Sequence, residues 1–276
     1  MIEIPEAIVV SGQLNQTIRG KRIKSAAADS SPHKFAWYFG DPAGYDKLLS
    51  GRVIGEAKGF GCRVEIEAED VAINIGEGVN LRYFEAGEAL PAKHQLLVAF
   101  EDGSALVGSI VMYGGVWAFP SGAMDNDNYY KVSKEAIPPL SDSFDYDYFT
   151  TLFDEKSLKM SAKAFLATEQ RVPGLGNGVL QDILLNARIH PKKKARDLSE
   201  EQRREMFDSV KTTLAEMVAG GGRDTEKDIF GKPGGYATKL SKNNKAMICP
   251  DCGSPVKKEA YMGGSIYYCV KCQGNP

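Results

Sequence analysis

Residues 249–272 read CPDCGSPVKKEAYMGGSIYYCVKC. Two Cys-x-x-Cys pairs, Cys249/Cys252 and Cys269/Cys272, stand 16 residues apart, which is the spacing of a four-thiolate zinc site. A tight Cys-x-x-Cys turn lets two thiolates reach one tetrahedral ion at about 2.3 Å, and the second pair completes the shell. Between the pairs, VKKEAY and SIYYC alternate like two strands, with Met262-Gly263-Gly264 as the turn. The expectation is a zinc-held β-hairpin. Two spaced pairs rarely serve one redox function, and a closed four-cysteine shell leaves no position for a substrate, so the site reads as structural. Lys257 and Lys258 lie on the hairpin, placed either to meet phosphates or to solvate a surface.

Upstream, three tracts carry apolar residues at helical spacing: SLKMSAKAFLATEQ (157–170), GVLQDILLNARI (178–189) and SEEQRREMFDSVKTTLAEMVAG (199–220). Ser199 with Gln202 reads as a capping box, and Gly220-Gly221-Gly222 stops the last helix. The segment RVPGLGNGVLQDILLNARIHPKKK (171–194) holds more chemistry. Asn177 is placed as an N-cap, flanking glycines permit close backbone approach, and free N–H groups at a helix start form a phosphate site. A plain cap followed by a solvated run of lysines fits the same residues.

Residues 1–120 read mainly as strands, at Arg63–Glu67, Val71–Ile75, Gln95–Glu101 and Ala105–Met112, separated by Gly, Asp or Pro turns. They predict an antiparallel sandwich or barrel. Glu6–Ile18 is compatible with a helix ended by Gly20, and Cys62 with an ordinary strand thiol. Residues 121–150 are polar and turn-rich, and Pro138-Pro139 cannot continue a helix. The expected division is a β domain over 1–130, a linker over 131–150, a helical domain over 151–245 and the hairpin over 246–276.

The chain has 276 residues, 43% of them apolar, and a formal net charge of −2. That overall charge argues against a polyanion partner, but its distribution does not. Residues 151–276 carry 21 Lys/Arg against 15 Asp/Glu, and residues 1–150 carry 13 against 21. The basic half is the one suited to face nucleic acid. No apolar run approaches the roughly 18–20 residues that span a bilayer, and MIEIPEAIVV lacks a basic leader region. No membrane association and a cytoplasmic location are expected.

Several motifs in order resemble the formamidopyrimidine-DNA glycosylase / endonuclease VIII family of base-excision repair enzymes. IEIPE (2–6) is similar to its PELPE opening and IPPLSDSF (137–144) to its interdomain segment. PGLGNGVLQDILLNARIHP (173–191) is similar to its helix–two-turn–helix motif, FGKPGGY (230–236) to the loop before its finger, and the four cysteines to its zinc finger. The resemblance covers nearly the whole chain. It implies an α+β multidomain protein: an N-terminal β-sandwich opened by a helix, then a helix–two-turn–helix domain and a zinc β-hairpin. Double-stranded DNA bearing a lesion or abasic site would lie in the cleft, the target base flipped out of the stack. The protein would be a monomer acting in the cytoplasm at the nucleoid.

Carried over by residue, Glu3 matches the proton-handling glutamate, Glu6 the second carboxylate of the opening motif, and Asn177 the asparagine that holds phosphate. Cys249, Cys252, Cys269 and Cys272 match the zinc ligands. Ile2 stands where the family has its nucleophilic proline, Phe60 where it has a phosphate-binding lysine, and Gly264 where it has a finger arginine. Glu77 and Met112–Gly114 fall where it wedges side chains into the stack. Lys58 or Arg63 is the candidate substitute for the lysine, Tyr113 for the wedge, and Lys257 for a phosphate contact. A bulky Ile2 should also keep Met1 in place, shifting the free amine by one residue. Two readings follow. One is a DNA glycosylase / abasic-site lyase with altered lesion choice, and the other is a damage-binding paralogue without glycosylase activity.

Overall fold

The computed structural model describes residues 1–124 and 127–276. The chain opens with α1 (Ile4–Thr17). Nine strands and one short helix follow: β1 (Ile23–Ala28), β2 (Ala36–Trp37), α2 (Tyr45–Leu49), β3 (Ile54–Phe60), β4 (Arg63–Ala68), β5 (Val71–Ile75), β6 (Val79–Phe84), β7 (Leu96–Phe100), β8 (Ala105–Ile110) and β9 (Gly114–Pro120). The four expected strands are present within two residues at either end, and β5 coincides with its expected range. They form two sheets, β1-β7-β8-β6 and β2-β9-β5-β4-β3, so the sandwich is observed and the barrel is not. The pairing is antiparallel except for β2, which runs parallel to β9. Val64, Ile66, Ile73 and Ile75 of one sheet meet Leu81, Leu96, Val98 and Leu106 of the other in one buried core. The outer face of β5 is covered as well, because Ala72 packs with Phe119, Met124 and Tyr130. That double burial explains why β5 reads as a continuous apolar run with Asn74 as its single polar residue.

The turn-rich stretch around Pro138-Pro139 also carries two short helices, α3 (Asn128–Glu135) and α4 (Tyr146–Thr151). Asp127 and Asp145 cap them, accepting from Tyr130 N and Tyr148 N at 2.7 and 2.8 Å. The tract 157–170 yields a 3-10 turn at Ser157–Lys159 and then the short α5 (Ala162–Ala167) rather than one continuous helix. Ser161 caps its start, and Glu169 and Gln170 adopt left-handed φ of 58° and 49° just past its end. α6 (Asn177–Asn186) and α7 (Glu200–Ala219) follow expectation. Ser199 Oγ accepts from Gln202 N, and Gln202 Oε1 accepts from Ser199 N, both at 3.2 Å. Their apolar faces enclose a second core that includes Phe149, Phe165, Leu180, Ile183, Val210 and Leu214.

α1 joins the two cores. Ile2, Ala7, Val10 and Leu14 pack into the sandwich, whereas Ile4 packs into the helical core. It starts two residues earlier than its apolar pattern suggests, with Glu3 at the N-cap and Pro5 in the first turn, where a missing N–H costs nothing. The chain ends in a hairpin of β10 (Val256–Tyr261) and β11 (Gly264–Cys269), then α8 (Val270–Gln273). The register pairs Tyr261 with Gly264. This leaves Met262 and Gly263 as a two-residue turn with φ of 50° and 73°, the geometry that matches hairpin twist. Among the described residues no helix is long and apolar enough to cross a membrane.

Candidate nucleic-acid interface and metal centre

A cavity of about 860 Å³ opens between the sandwich and the helical half. Met1, Glu3, Glu77, Tyr113, Asn177 and Arg223 are among the residues lining it. Glu3, at the start of α1, faces the start of α6, and its Oε1 and Oε2 accept from Gly178 N and Val179 N at 2.9 and 2.8 Å. A carboxylate on two free amides at a helix N-terminus is favourable by charge and dipole.

The expected placement of Asn177 is therefore corrected. Gly176 is the N-cap, and Asn177 occupies the first turn with its Nδ2 donating to Ser265 O at 2.9 Å. The close approach permitted by the glycines is made by protein atoms. A Cβ on Gly178 would lie 1.7 Å from Arg223 Nη1, and one on Gly174 would lie 2.0 Å from the carbonyl carbon of Gly61.

Arg223 is the residue that motif reading missed. Its Nε and Nη2 donate to Glu6 Oε1 and Oε2 at 2.9 and 2.6 Å, and its Nη1 lies 3.3 Å from Glu3 Oε2. The side chains of all three are almost wholly buried. Burial opposes the arginine's charge, but the two carboxylates hold it protonated well above its ordinary range. Burial pushes Glu3 up, while Arg223 and the two helix amides pull it down. The only local signal for Arg223 is a cation set among glycines in GGGRDTEKD, which says nothing of a partner more than 200 residues away.

The N-terminal amine of Met1 pairs with Glu226 at the cavity wall. Ile2 has its side chain in the sandwich core, 5% exposed. Tyr113, on the turn between β8 and β9, lines the cavity with its hydroxyl 4.0 Å from Met1 Sδ. Glu77 stands on the same wall, pushed up by burial and drawn down by Arg63. The Cys62 thiol is buried as expected, but on the turn between β3 and β4 rather than in a strand, and it is raised to about 11 by burial and by Glu77. Lys58 lies outside the cavity, exposed and paired with Glu56 and Glu67 at 3.0 and 3.2 Å. Arg63 is buried, with Nη1 donating to Asn74 at 2.8 Å and its guanidinium 4.3 Å from the Trp117 ring. It is thus committed to the sheet rather than free for a phosphate. Phe60 packs edge-on against Tyr130. Lys257 is exposed on β10, away from the cavity.

The four terminal thiols converge, with all their Sγ atoms within 4.8 Å of one another. Cys249 and Cys272 Sγ are 3.8 Å apart, and Cys252 and Cys269 Sγ are 3.5 Å apart. A zinc–sulfur distance of about 2.3 Å sets a tetrahedral edge of about 3.8 Å, so the donor set fits a divalent metal ion. The hairpin is docked by Gln181, whose Nε2 donates to Ser265 O at 3.1 Å and whose Oε1 accepts from Tyr267 N at 3.0 Å. A side-chain amide thereby continues the edge of β11 as a neighbouring strand would.

A sandwich and a helical domain thus face each other across one cleft, with a four-thiolate hairpin at its rim. Residues 136–228 match the formamidopyrimidine-DNA glycosylase H2TH domain. The chain is 26% identical to the formamidopyrimidine-DNA glycosylase of Cytobacillus firmus over 99% of its own length and 100% of the relative's. It is 33% identical to that of Thermus thermophilus over 49% and 52%. The Thermus thermophilus MutM (Fpg) crystal structure superposes with a TM-score of 0.81 over 99% of both chains at 23% identity. A Lactococcus lactis Fpg complex with abasic-site DNA superposes with a TM-score of 0.81 over 98% and 99% at 24% identity. The chain thus carries a segment that matches the formamidopyrimidine-DNA glycosylase H2TH domain, within a fold it shares with solved Fpg structures over nearly its whole length.

Proposed function

We propose that this protein binds double-stranded DNA carrying a lesion or abasic site in the cleft, in base-excision repair, and acts there as a DNA glycosylase / abasic-site lyase of altered lesion choice. The observation that carries the reading is that the Met1 α-amine and the Glu3 carboxylate line one cavity with Tyr113 and Asn177. A primary amine condenses with the C1′ aldehyde of an abasic site. Its nitrogen bonds to C1′, the carbonyl oxygen takes up protons, and water leaves. Glu3 relays those protons, with Glu6 and Arg223 holding its position. Ile2 contributes its backbone only, setting where the Met1 amine stands.

Tyr113 fills the gap beside a displaced base, Asn177 sits at the phosphate wall, and Lys58 and Lys257 supply charge to flanking phosphates. Zinc in the Cys249, Cys252, Cys269 and Cys272 site fixes the hairpin and takes no part in the chemistry. The division at 131–150 is proposed on the two apolar cores that flank it, together with a monomeric state and action in the cytoplasm at the nucleoid.

Borohydride trapping on an abasic duplex tests the chemistry. A covalent adduct at the N-terminal residue is expected. Binding without trapping supports the second reading, a damage-binding paralogue. What favours that alternative is the ion pair between the Met1 amine and Glu226, which engages the nitrogen with a carboxylate of the protein itself.

A further inference from the structure

Beside the cleft the structure exposes apolar residues that neither core nor catalysis explains. Phe35 is 47% exposed and Trp37 50%, and on the adjoining β8–β9 turn Val111 is 69% and Met112 58% exposed. β2 is held against that turn by backbone pairing. Ala36 and Trp37 pair in parallel with Gly114 and Gly115, and Gly114 N donates to Phe35 O at 3.0 Å. The Trp37 ring lies 6.0 Å from that of Tyr113, and Tyr113 lines the cavity. The patch is thus continuous with the cleft wall. Lys34 stands over the Phe35 ring at 5.3 Å, so the strip HKFAW (33–37) presents a cation and two rings together.

We propose that Phe35 and Trp37 form a stacking platform for an unpaired DNA base at the mouth of the cleft, outside the pocket that takes the target nucleotide. The inference rests on the DNA-binding reading above and adds a second base site to it. Two exposed rings with a lysine beside one of them suit the π-face of a base and its phosphate. Extruding one nucleotide leaves neighbouring bases with a free face, and a platform beside Tyr113 is placed to receive one. Stacking of this kind tolerates any base, so it adds affinity for disrupted DNA without reading sequence.

The test compares three DNAs: an intact duplex, the same duplex with a central unpaired bulge, and oligothymidylate. Each is titrated against the wild type, Trp37→Ala, Trp37→Phe and Phe35→Ala by fluorescence anisotropy. Trp37→Ala and Phe35→Ala are expected to weaken the bulged duplex and oligothymidylate by roughly tenfold each and to leave the intact duplex within about twofold. Trp37→Phe should retain most of the affinity. The chain has two tryptophans, and Trp117 lies beneath Arg63. Quenching of tryptophan emission by oligothymidylate should therefore disappear in Trp37→Phe. Equal losses on all three DNAs, or no loss on any, overturn the platform while DNA binding stands. A wild-type dimer that Trp37→Ala dissociates overturns it in favour of self-association. A wild type that binds none of the three overturns the DNA reading itself, and the platform with it.

Discussion

Arg223 grips both oxygens of Glu6, Nε to Oε1 at 2.9 Å and Nη2 to Oε2 at 2.6 Å, across 217 residues of sequence. The pair bolts the loop after α7 to the start of α1, where the two apolar cores meet. Removing one partner strands a buried charge, and that costs more than the pair itself contributes.

Arg223→Met should therefore lower unfolding free energy by about 3–5 kcal/mol, measured by urea denaturation. The loss should depend on pH. Arg223 pulls Glu3 down against burial, so its removal raises the folded-state value of Glu3 further. A carboxyl raised on folding holds a proton that the unfolded chain releases, and its contribution is lost as pH rises. The variant should fall further below wild type at pH 8 than at pH 5. A gap that is constant with pH would remove Glu3 from the coupling.

Glu3→Gln tests the proposed chemistry. Abasic-strand cleavage should drop by roughly 10²–10⁴-fold, the scale of a lost proton-transfer group. The amide cannot accept from both Gly178 N and Val179 N with full charge, so stability should fall by about 1 kcal/mol as well. Equal cleavage by wild type and variant would exclude Glu3 from the mechanism. Excision of 8-oxoguanine should be weak in the wild type, because Ile2 removes the secondary amine, and a matched 8-oxoguanine duplex checks that.

Metal analysis of natively purified protein should find one zinc per chain. Cys269→Ser should abolish it, together with DNA binding, while the sandwich stays folded. Leu185 and Leu240 pack with Val256 and the four cysteines in a cluster separate from the sandwich core. Retained zinc in the variant, or a coincident loss of sandwich strands by circular dichroism, would contradict this.

Asn177→Ala and Gln181→Leu should separate DNA contact from hairpin docking. Both side chains donate to Ser265 O, but only Gln181 also accepts from Tyr267 N. Gln181→Leu leaves that amide without its partner, at about 1–3 kcal/mol, and should speed hydrogen exchange along β11. Asn177→Ala should leave exchange little changed and weaken all duplexes by roughly 1–3 kcal/mol, with affinity falling steeply as salt rises. Salt-independent binding would remove the proposed phosphate wall.

The local patterns were legible where a few neighbouring residues settled them. Val71–Ile75 and the Ser199/Gln202 capping box stand where their residues indicate, because a short apolar run bounded by turns and a helix cap are both decided within a few positions. The tract 157–170 misled, since its apolar spacing starts at Leu158, whereas the helix begins only after the Ser161 cap and Glu169 and Gln170 turn left-handed. β1, β2, β3, β6 and β9 were not among the expected strands; β2 is only two residues long, and β9 is buried on both faces except at Trp117 and Pro120, so neither shows an alternating face.

The sequence by itself determined the four-thiolate hairpin, the helix–two-turn–helix signature and a Glu3 preceded by Ile2. Each of these is written in residue type and short spacing. Only the tertiary structure decided which groups occupy the start of α6. The glycines read as room for a phosphate admit instead the Glu3 carboxylate and the Arg223 guanidinium. Which cation neutralises two buried carboxylates depends on chain segments brought together by packing of the two cores. Burial makes that pairing obligatory, and no spacing along the chain records it.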